Sequence, residues 1–508
     1  MITVFVLWSK YDKEEKMADE KTTNTKSKGK IGLGVLAAVV VLGGVYVGVS
    51  TSGRAITASA SDDRFVQVIE NNGCLACHSS EPETAWYEAL PGISGMMEKD
   101  KDNAYKFIDL QTIVDKVNAG EMIDAPTVSK IEQATKNNSM PLTNYATVHP
   151  GSSLNAEEQG ILLGWVKERR TAQVQAFAEQ YGMELDDAAL EKAVSEPVMV
   201  LPEPGYGVDM DMAMLGLDVY HDTRLSGDNT LACASCHQLS HGGEDGTAHA
   251  RGITGSLGGV SAPTVYNAVF NVLQFWDGRA DHLQAQAGGP PTNPIEMGSE
   301  TWDDIVKRLK EDPEMVQRFD KVFGSTGITE ENITTAIAEF EKLLITPNSP
   351  FDKYLMGDEG AISAEAAQGY DLFKKYYCAT CHTGASMGGQ SFELLGTVTD
   401  AAQYFEERGY EAFEADDGRF AQTEDENDRY RFKVPNLRNV ELTDPYFHDG
   451  SQLSLQQAVR TMFKYQTDHP NPTDDEVNKI VEFLMAQTGE NEYMTYDFYP
   501  SNNLYPEY

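Results

Sequence analysis

Every cysteine in this 508-residue chain belongs to a C-x-x-C pair, and a histidine follows each pair directly. The pairs are Cys74 with Cys77, Cys233 with Cys236, and Cys378 with Cys381, followed by His78, His237 and His382. A disulfide framework rarely spaces all of its thiols in this way, whereas covalent attachment of a c-type haem requires it. The spacing therefore predicts three covalently bound haems.

The residue types in each motif suit haem chemistry. The two thiols form thioether bonds to the porphyrin, and the adjacent imidazole ligates the iron. A zinc site or a redox-active thiol pair is the alternative for a single C-x-x-C. Because the histidine recurs after all three pairs, we expect His78, His237 and His382 to be the proximal iron ligands.

An uncharged apolar stretch, residues 31–49, lies near the N-terminus. Its 19 residues would form about 28 Å of helix, close to the hydrocarbon thickness of a bilayer. Lys26, Lys28 and Lys30 precede it, so the positive-inside rule predicts a cytoplasmic N-terminus. We expect a single-pass inner-membrane protein whose remaining residues are periplasmic. A cleaved signal peptide is the alternative.

The chain is strongly acidic, with 40 Lys and Arg against 79 Asp and Glu and a net charge of −39. Such a surface repels the phosphate backbone of nucleic acids. The composition therefore excludes nucleic acid as a partner.

Helical periodicity dominates the segments between the motifs, and Asn155 is the expected N-cap of one long helix. We expect a mainly α fold with three c-type cytochrome-like haem domains behind one N-terminal transmembrane helix. The expected segments are a cytoplasmic tail (1–30), a transmembrane anchor (31–49), a linker (50–62), a first haem domain (63–172), a linker helix (173–200), a second haem domain (201–350) and a third haem domain (351–508).

Several separated blocks carry a resemblance to a known family over residues 200–487. They include LACASCH, the segment from Ser261 to Ser299 with its FWDGR and IEMGS sequences, VPNLRN, LTDPYFHDG and AVRTM. This part of the chain resembles the bacterial di-haem cytochrome c peroxidase family. The resemblance implies an enzyme that reduces hydrogen peroxide to water.

The resemblance also assigns roles to the two haems. The haem at His237 would be the peroxidatic one, and the haem at His382, with Met462 as its sixth ligand, would supply electrons. Trp276 stands where the family places a tryptophan between the haems. A core methionine and an ordinary packed aromatic are the alternatives for these two side chains.

Two further residues match the family's peroxide pocket. Glu296 corresponds to its catalytic acid, and Gln286 to a nearby amide. Cleavage of the peroxide bond needs a proton taken from one oxygen and delivered to the other, which one positioned carboxylate can do.

The chain departs from the family pattern at one position. Many members carry a second histidine sixteen residues after the proximal one, and here that position is Ile253. We therefore predict a peroxidatic haem whose second face is open without reductive activation. His241 and His249 are expected to be ordinary loop residues.

Calcium is usual between the two haem domains of this family. Ser261 stands where an asparagine ligand is typical, whereas Thr443 and Pro445 still offer backbone carbonyls, which are suitable ligands for Ca²⁺. We therefore expect calcium at this position from the backbone carbonyls, although Ser261 departs from the family's ligand set.

The N-terminal segment resembles the extra domain of membrane-anchored, three-haem members such as quinol peroxidases. CLACHSSEPETAWYEALPG carries part of the likeness. Met140 is the expected sixth ligand of the first haem, with His149 as the alternative. The resemblance implies a quinol or cytochrome c donor, with electrons passing from the haem at His78 to that at His382 and on to His237. It also allows a homodimer.

Two other functions compete with this reading. One is a multi-haem electron-transfer cytochrome without peroxidase activity, which Glu296 disfavours. The other is the related di-haem enzyme that oxidises tryptophans of a partner protein, a branch that places tyrosine where Met462 stands.

Overall fold

The computed structural model describes residues 56–82, 84, 94–149, 151–409 and 413–495. The expected membrane anchor, residues 31–49, lies outside the described residues. Among the helices within those ranges, none combines the length and apolar character needed to cross a bilayer.

The N-terminal part is helical, as expected. Its helices are α1 (Ser61–Asn71), α2 (Ser94–Phe107), α3 (Leu110–Ala119), α4 (Ala125–Lys136), α5 (Thr143–Val148), α6 (Ala156–Gln180) and α7 (Asp187–Ser195).

Helix α6 starts where the sequence predicts. The Asn155 side chain accepts the N–H groups of Glu157 and Glu158, and the Glu158 carboxylate accepts the N–H of Asn155 in return. This reciprocal capping satisfies donors that have no partner inside the helix. Trp165 on α6 stacks on Phe65 of α1 at a centroid distance of 4.0 Å, and both rings are fully buried.

Residues 141–149 and 151–153 belong to a separate compact unit. This segment contains α5 and ends its helical turn at His149. The imidazole of His149 stacks on the ring of Tyr145 at 4.1 Å.

The two C-terminal haem motifs lie in separate helical groups. The group around Cys233 contains α8 (Met210–Tyr220), α9 (Cys233–Cys236), α10 (Leu283–Gly288), α11 (Trp302–Lys310), α12 (Pro313–Phe323) and α13 (Glu330–Glu341). The group around Cys378 contains α14 (Pro350–Leu355), α15 (Ala364–Lys375), α16 (Cys378–Cys381), β1 (Phe392–Leu394), α17 (Ala401–Glu407), α18 (Phe420–Thr423), β2 (Arg431–Lys433), α19 (Leu455–Gln466) and α20 (Asp474–Met485).

These two groups share one packing plan. In the first, α8 packs on α13 so closely that a Cβ on Gly216 would lie 1.9 Å from the carbonyl oxygen of Ala336. In the second, α15 packs on α20, and a Cβ on Gly369 would lie 1.9 Å from the carbonyl oxygen of Lys479. Each glycine therefore allows a helix crossing that no other residue permits, and the helix that carries it precedes a haem motif in the chain.

Strands are few among the described residues. Strands β1 and β2 pair antiparallel, with Phe392 opposite Lys433. The predicted mainly α class is confirmed. Helix α6 contains residue 172, the expected end of the first haem domain, and all of the expected domain limits stay predictions.

Candidate functional site

The second motif borders a cavity of about 160 Å³. Cys233, Cys236 and His237 line it together with Gln286 and Glu296. Gln286 follows His237 by 49 residues and Glu296 follows it by 59, so the fold brings the predicted catalytic residues to the predicted haem.

The side chains at this motif fit a covalently held haem. None of the six cysteines forms a disulfide, and burial raises the pKa of Cys233 and of Cys236 to about 12. Burial also lowers the pKa of His237, which keeps the imidazole neutral and able to ligate a metal. Two cysteine sulfurs and a neutral imidazole on one cavity wall fit a covalently attached haem.

Glu296 is held by its own loop. The Asn293 side-chain amide donates a hydrogen bond of 2.8 Å to Oε1 of Glu296. Burial raises the pKa of Glu296, while Arg279 and the Asn293 amide act in the opposite direction. A carboxyl group in this setting exchanges its proton closer to neutral pH than an exposed one.

Arg279 and Phe275 also line this cavity, and sequence reasoning did not select them. The Arg279 guanidinium lies 3.5 Å from the centroid of the Phe275 ring and pairs with Asp277 at 3.1 Å. The sequence signal is the cation in FWDGR, which follows an apolar run, and its charge lowers the pKa of Glu296.

Ile253 lies against the loop that carries Glu296. Its N–H donates a hydrogen bond of 2.6 Å to the carbonyl of Glu296. The preceding residue must be glycine, because a Cβ on Gly252 would lie 1.8 Å from the carbonyl oxygen of Ile295. The open second face of the haem stays a prediction.

His241 and His249, the two histidines that precede Ile253, lie in the same loop region. His241 is exposed, and Ser240 Oγ lies 3.1 Å from its Nδ1. The ring of His249 meets Phe413 edge to face.

The third motif borders a larger cavity of about 270 Å³. Cys378, Cys381 and His382 line it, and Met462 from α19 lines it as well. The Nδ1–H of His382 donates to the carbonyl of Met387 at 3.1 Å, which leaves Nε2 for a metal. Burial lowers the pKa of His382 to about 4. The fold therefore places the predicted sixth ligand at the same haem site as the predicted proximal one.

Trp276 lines the larger cavity, while its neighbour Phe275 lines the smaller one. The indole Nε1–H donates to the Ser261 carbonyl at 3.0 Å, and the Trp276 carbonyl accepts the Lys433 N–H at 2.9 Å. These two hydrogen bonds hold Trp276 in the wall of the larger cavity. Its electron-transfer role stays a prediction.

The expected calcium ligands Ser261, Thr443 and Pro445 all line the larger cavity. Ser261 is buried, and its N–H donates to the carbonyl of His448 at 2.8 Å. Calcium binding at these residues stays a prediction.

The first motif forms a tight turn after α1. The Nδ1 of His78 lies 3.0 Å from the Ala104 carbonyl and 3.1 Å from the Ile108 carbonyl, so this nitrogen is the donor. Burial lowers the pKa of His78. Met140 is half-buried beyond the end of α4. Met140 as the sixth ligand, with His149 as the alternative, stays a prediction.

Helix α4 of the N-terminal part packs on the attachment helix α16. Ser129 Oγ lies 3.1 Å from Thr383 Oγ1, and the Lys130 ammonium donates to Glu393 at 2.8 Å. Phe107 at the end of α2 lines the larger cavity beside His382. Helix α4 and the end of α2 therefore lie directly against the third motif.

Family models match two parts of the chain. Residues 210–360 match the di-haem cytochrome c peroxidase model, and residues 46–168 match a haem-binding domain model. These two ranges contain the second and first motifs.

Curated relatives extend the match over most of the chain. Cytochrome c peroxidase Ccp of Escherichia coli (strain K12) is 42% identical over 85% of this chain and 89% of its own length. Cytochrome c551 peroxidase of Nitrosomonas europaea is 42% identical over 66% of this chain and 98% of its own length. A solved structure of a MauG-like protein associated with microbial copper homeostasis aligns with a TM-score of 0.50 at 25% identity, covering 58% of this chain and 95% of that one. The chain therefore belongs to the di-haem cytochrome c peroxidase family and is an oxidoreductase that acts on peroxide.

Proposed function

We propose that the chain reduces hydrogen peroxide to water in the periplasm, with electrons relayed through three c-type haems from a quinol or a cytochrome donor. One observation carries the proposal: Glu296 and Gln286 line the same cavity as the haem motif at His237. Each peroxide consumes two electrons and two protons and forms two water molecules.

Three side chains of the smaller cavity have separate roles in peroxide reduction: proton transfer, substrate orientation and charge stabilisation. When bound at His237, the haem supplies the iron at which the peroxide bond is cleaved. Glu296 takes a proton from one peroxide oxygen and delivers it to the other. Gln286 orients the peroxide by hydrogen bonding, and Arg279 offers positive charge where negative charge develops.

The larger cavity suits an electron-supplying site. A thioether ligand from Met462 would raise the reduction potential of the haem at His382, which favours electron storage. Trp276, which is hydrogen-bonded to Ser261 and Lys433, lines the larger cavity, and its neighbour Phe275 lines the smaller one.

The contacts of α4 support electron entry through the haem at His78. Ser129 of α4 contacts Thr383, which directly follows the third motif, and Lys130 pairs with Glu393 of β1. The apolar stretch 31–49 would hold this first haem near a membrane, where a quinol or a membrane-bound cytochrome can reach it. Haem attachment of this type occurs outside the cytoplasm, which supports a periplasmic location.

Peroxide consumption by the full chain in detergent, with reduced quinol or reduced cytochrome c, tests the proposal. We expect turnover with at least one donor, three haems per chain by mass, and a decrease of about 10²–10⁴-fold in kcat for Glu296→Gln. Glu300→Gln, an exposed carboxylate in the same loop, is the matched control and should retain wild-type turnover. A haem-loaded wild type that consumes no peroxide with either donor would leave only an electron carrier.

A further inference from the structure

Lys433 is a buried lysine in the wall shared by the cavities at His237 and His382. It ends strand β2 and is 5% exposed. The residue lines the cavity of His382 and Met462 and also the cavity of His237 and Glu296. A single lysine thus borders both sites.

This ammonium has no protein partner among the described residues, since no hydrogen bond or ion pair of its Nζ occurs there. The acidic residues that share the smaller cavity, Glu296 and Glu341, do not pair with it. Burial alone lowers the pKa of Lys433 to about 8.

Lys130, another buried lysine, has a carboxylate partner within the protein. Its ammonium lies 2.8 Å from a Glu393 carboxylate oxygen, and that carboxylate raises the pKa of Lys130. A buried charge without a counter-charge is costly, so Lys433 needs an anion that the protein itself does not supply.

The cofactors expected in these cavities carry such anions, because each haem bears two propionate carboxylates. We propose that the Lys433 ammonium binds a haem propionate in the wall between the two sites and raises the reduction potential of that haem. The inference rests on the proposed haems at His237 and His382. Lys433 is a positioning residue, since it acts through the cofactor and not on peroxide.

The proposal has an electrostatic consequence. A fixed positive charge near a haem favours the ferrous form, which carries one positive charge fewer than the ferric form. The backbone N–H of Lys433 holds the Trp276 carbonyl, so removing only the side-chain charge leaves that contact in place.

Spectropotentiometric titration of the haem-loaded full chain tests the inference. Lys433→Met removes the charge and keeps the length of the side chain, whereas Lys433→Arg keeps the charge. We expect Lys433→Met to lower the potential of at least one of the haems at His237 and His382, by about tenfold in the one-electron equilibrium or about 59 mV. Lys433→Arg should stay close to wild type. Lys433→Gln is the second neutral variant and provides the same measurement if the methionine variant does not load haem.

The possible results distinguish the role of Lys433 from the peroxidase function of the chain. Unchanged potentials in a haem-loaded neutral variant, or an equal decrease in Lys433→Arg, overturn the role of Lys433 and leave the proposed function intact. Absence of haem at the His237 or His382 motif in the wild-type chain overturns the proposed function instead.

Discussion

The side-chain amide of Asn293 donates a hydrogen bond of 2.8 Å to Oε1 of Glu296. The Asn293 carbonyl also accepts the N–H groups of Glu296, at 3.1 Å, and Gly298, at 2.9 Å. One residue therefore closes the turn that carries the carboxylate and stabilises its ionised form.

Asn293→Ala should shift the pH dependence of peroxide reduction. The amide lowers the pKa of Glu296 against the opposing effect of burial, so its removal raises that pKa. The ionised carboxylate needed to accept a proton is then lost at higher pH. We expect the acidic limb of the kcat/KM profile to move to higher pH, while Thr292→Ala in the preceding turn leaves the profile unchanged. An Asn293→Ala profile that overlays the wild type would contradict this role.

Gly216→Ala should destabilise the second haem domain. The new Cβ would lie 1.9 Å from the Ala336 carbonyl oxygen, so helices α8 and α13 must separate. We expect a loss of about 1–3 kcal/mol in the free energy of unfolding, measured by denaturant titration. Gly164→Ala in α6 meets no atom within 4 Å and should raise stability by about 0.5–1 kcal/mol. Equal effects of the two substitutions would refute the close crossing.

Lys130→Met should weaken the attachment of the N-terminal part to the third haem domain. The substitution leaves the Glu393 carboxylate half-buried without its cation. Breaking such a pair costs about 3 kcal/mol. We expect a lower unfolding midpoint and slower reduction of the haem at His382 in stopped-flow mixing with a donor. Lys106→Met removes an exposed pair with Asp102 and should change stability by less than about 0.5 kcal/mol. Identical reduction rates in both variants would argue against entry through the first haem.

Met462→His should lower the potential of the haem at His382. Thioether ligation favours the reduced iron more than imidazole ligation does, so the substitution weakens this haem as an electron store. We expect a lower midpoint potential, a changed ligand-field spectrum and slower peroxide reduction. Met485→Leu, at an exposed methionine that ends α20, should leave all three unchanged. An unaltered spectrum in Met462→His would show that Met462 is a core residue.

Family membership was predictable because its signals are local in the chain. LACASCH, VPNLRN and AVRTM are short blocks, and the matching family model and relatives confirm the assignment. The capping residue Asn155 was predictable for the same reason, since a capping box spans only four positions.

Arg279, Asn293 and Lys433 were not selected from the sequence. Each is an ordinary polar residue in its local context, and its importance comes from what lies opposite it in the fold. Arg279 acts on Glu296 from a different loop. Lys433 lies between two cavities whose other walls come from distant helices.

The sequence by itself determined the haem chemistry, because two thiols and an imidazole within five residues define a haem attachment motif without tertiary structure. Tertiary structure decided how the motifs are used. Only packing brings Glu296 to the cavity of His237, places Met462 at that of His382, and sets Lys130 against Glu393. These contacts join residues far apart in the chain, and their specificity depends on close-packed helix crossings such as that at Gly216, which no local pattern encodes.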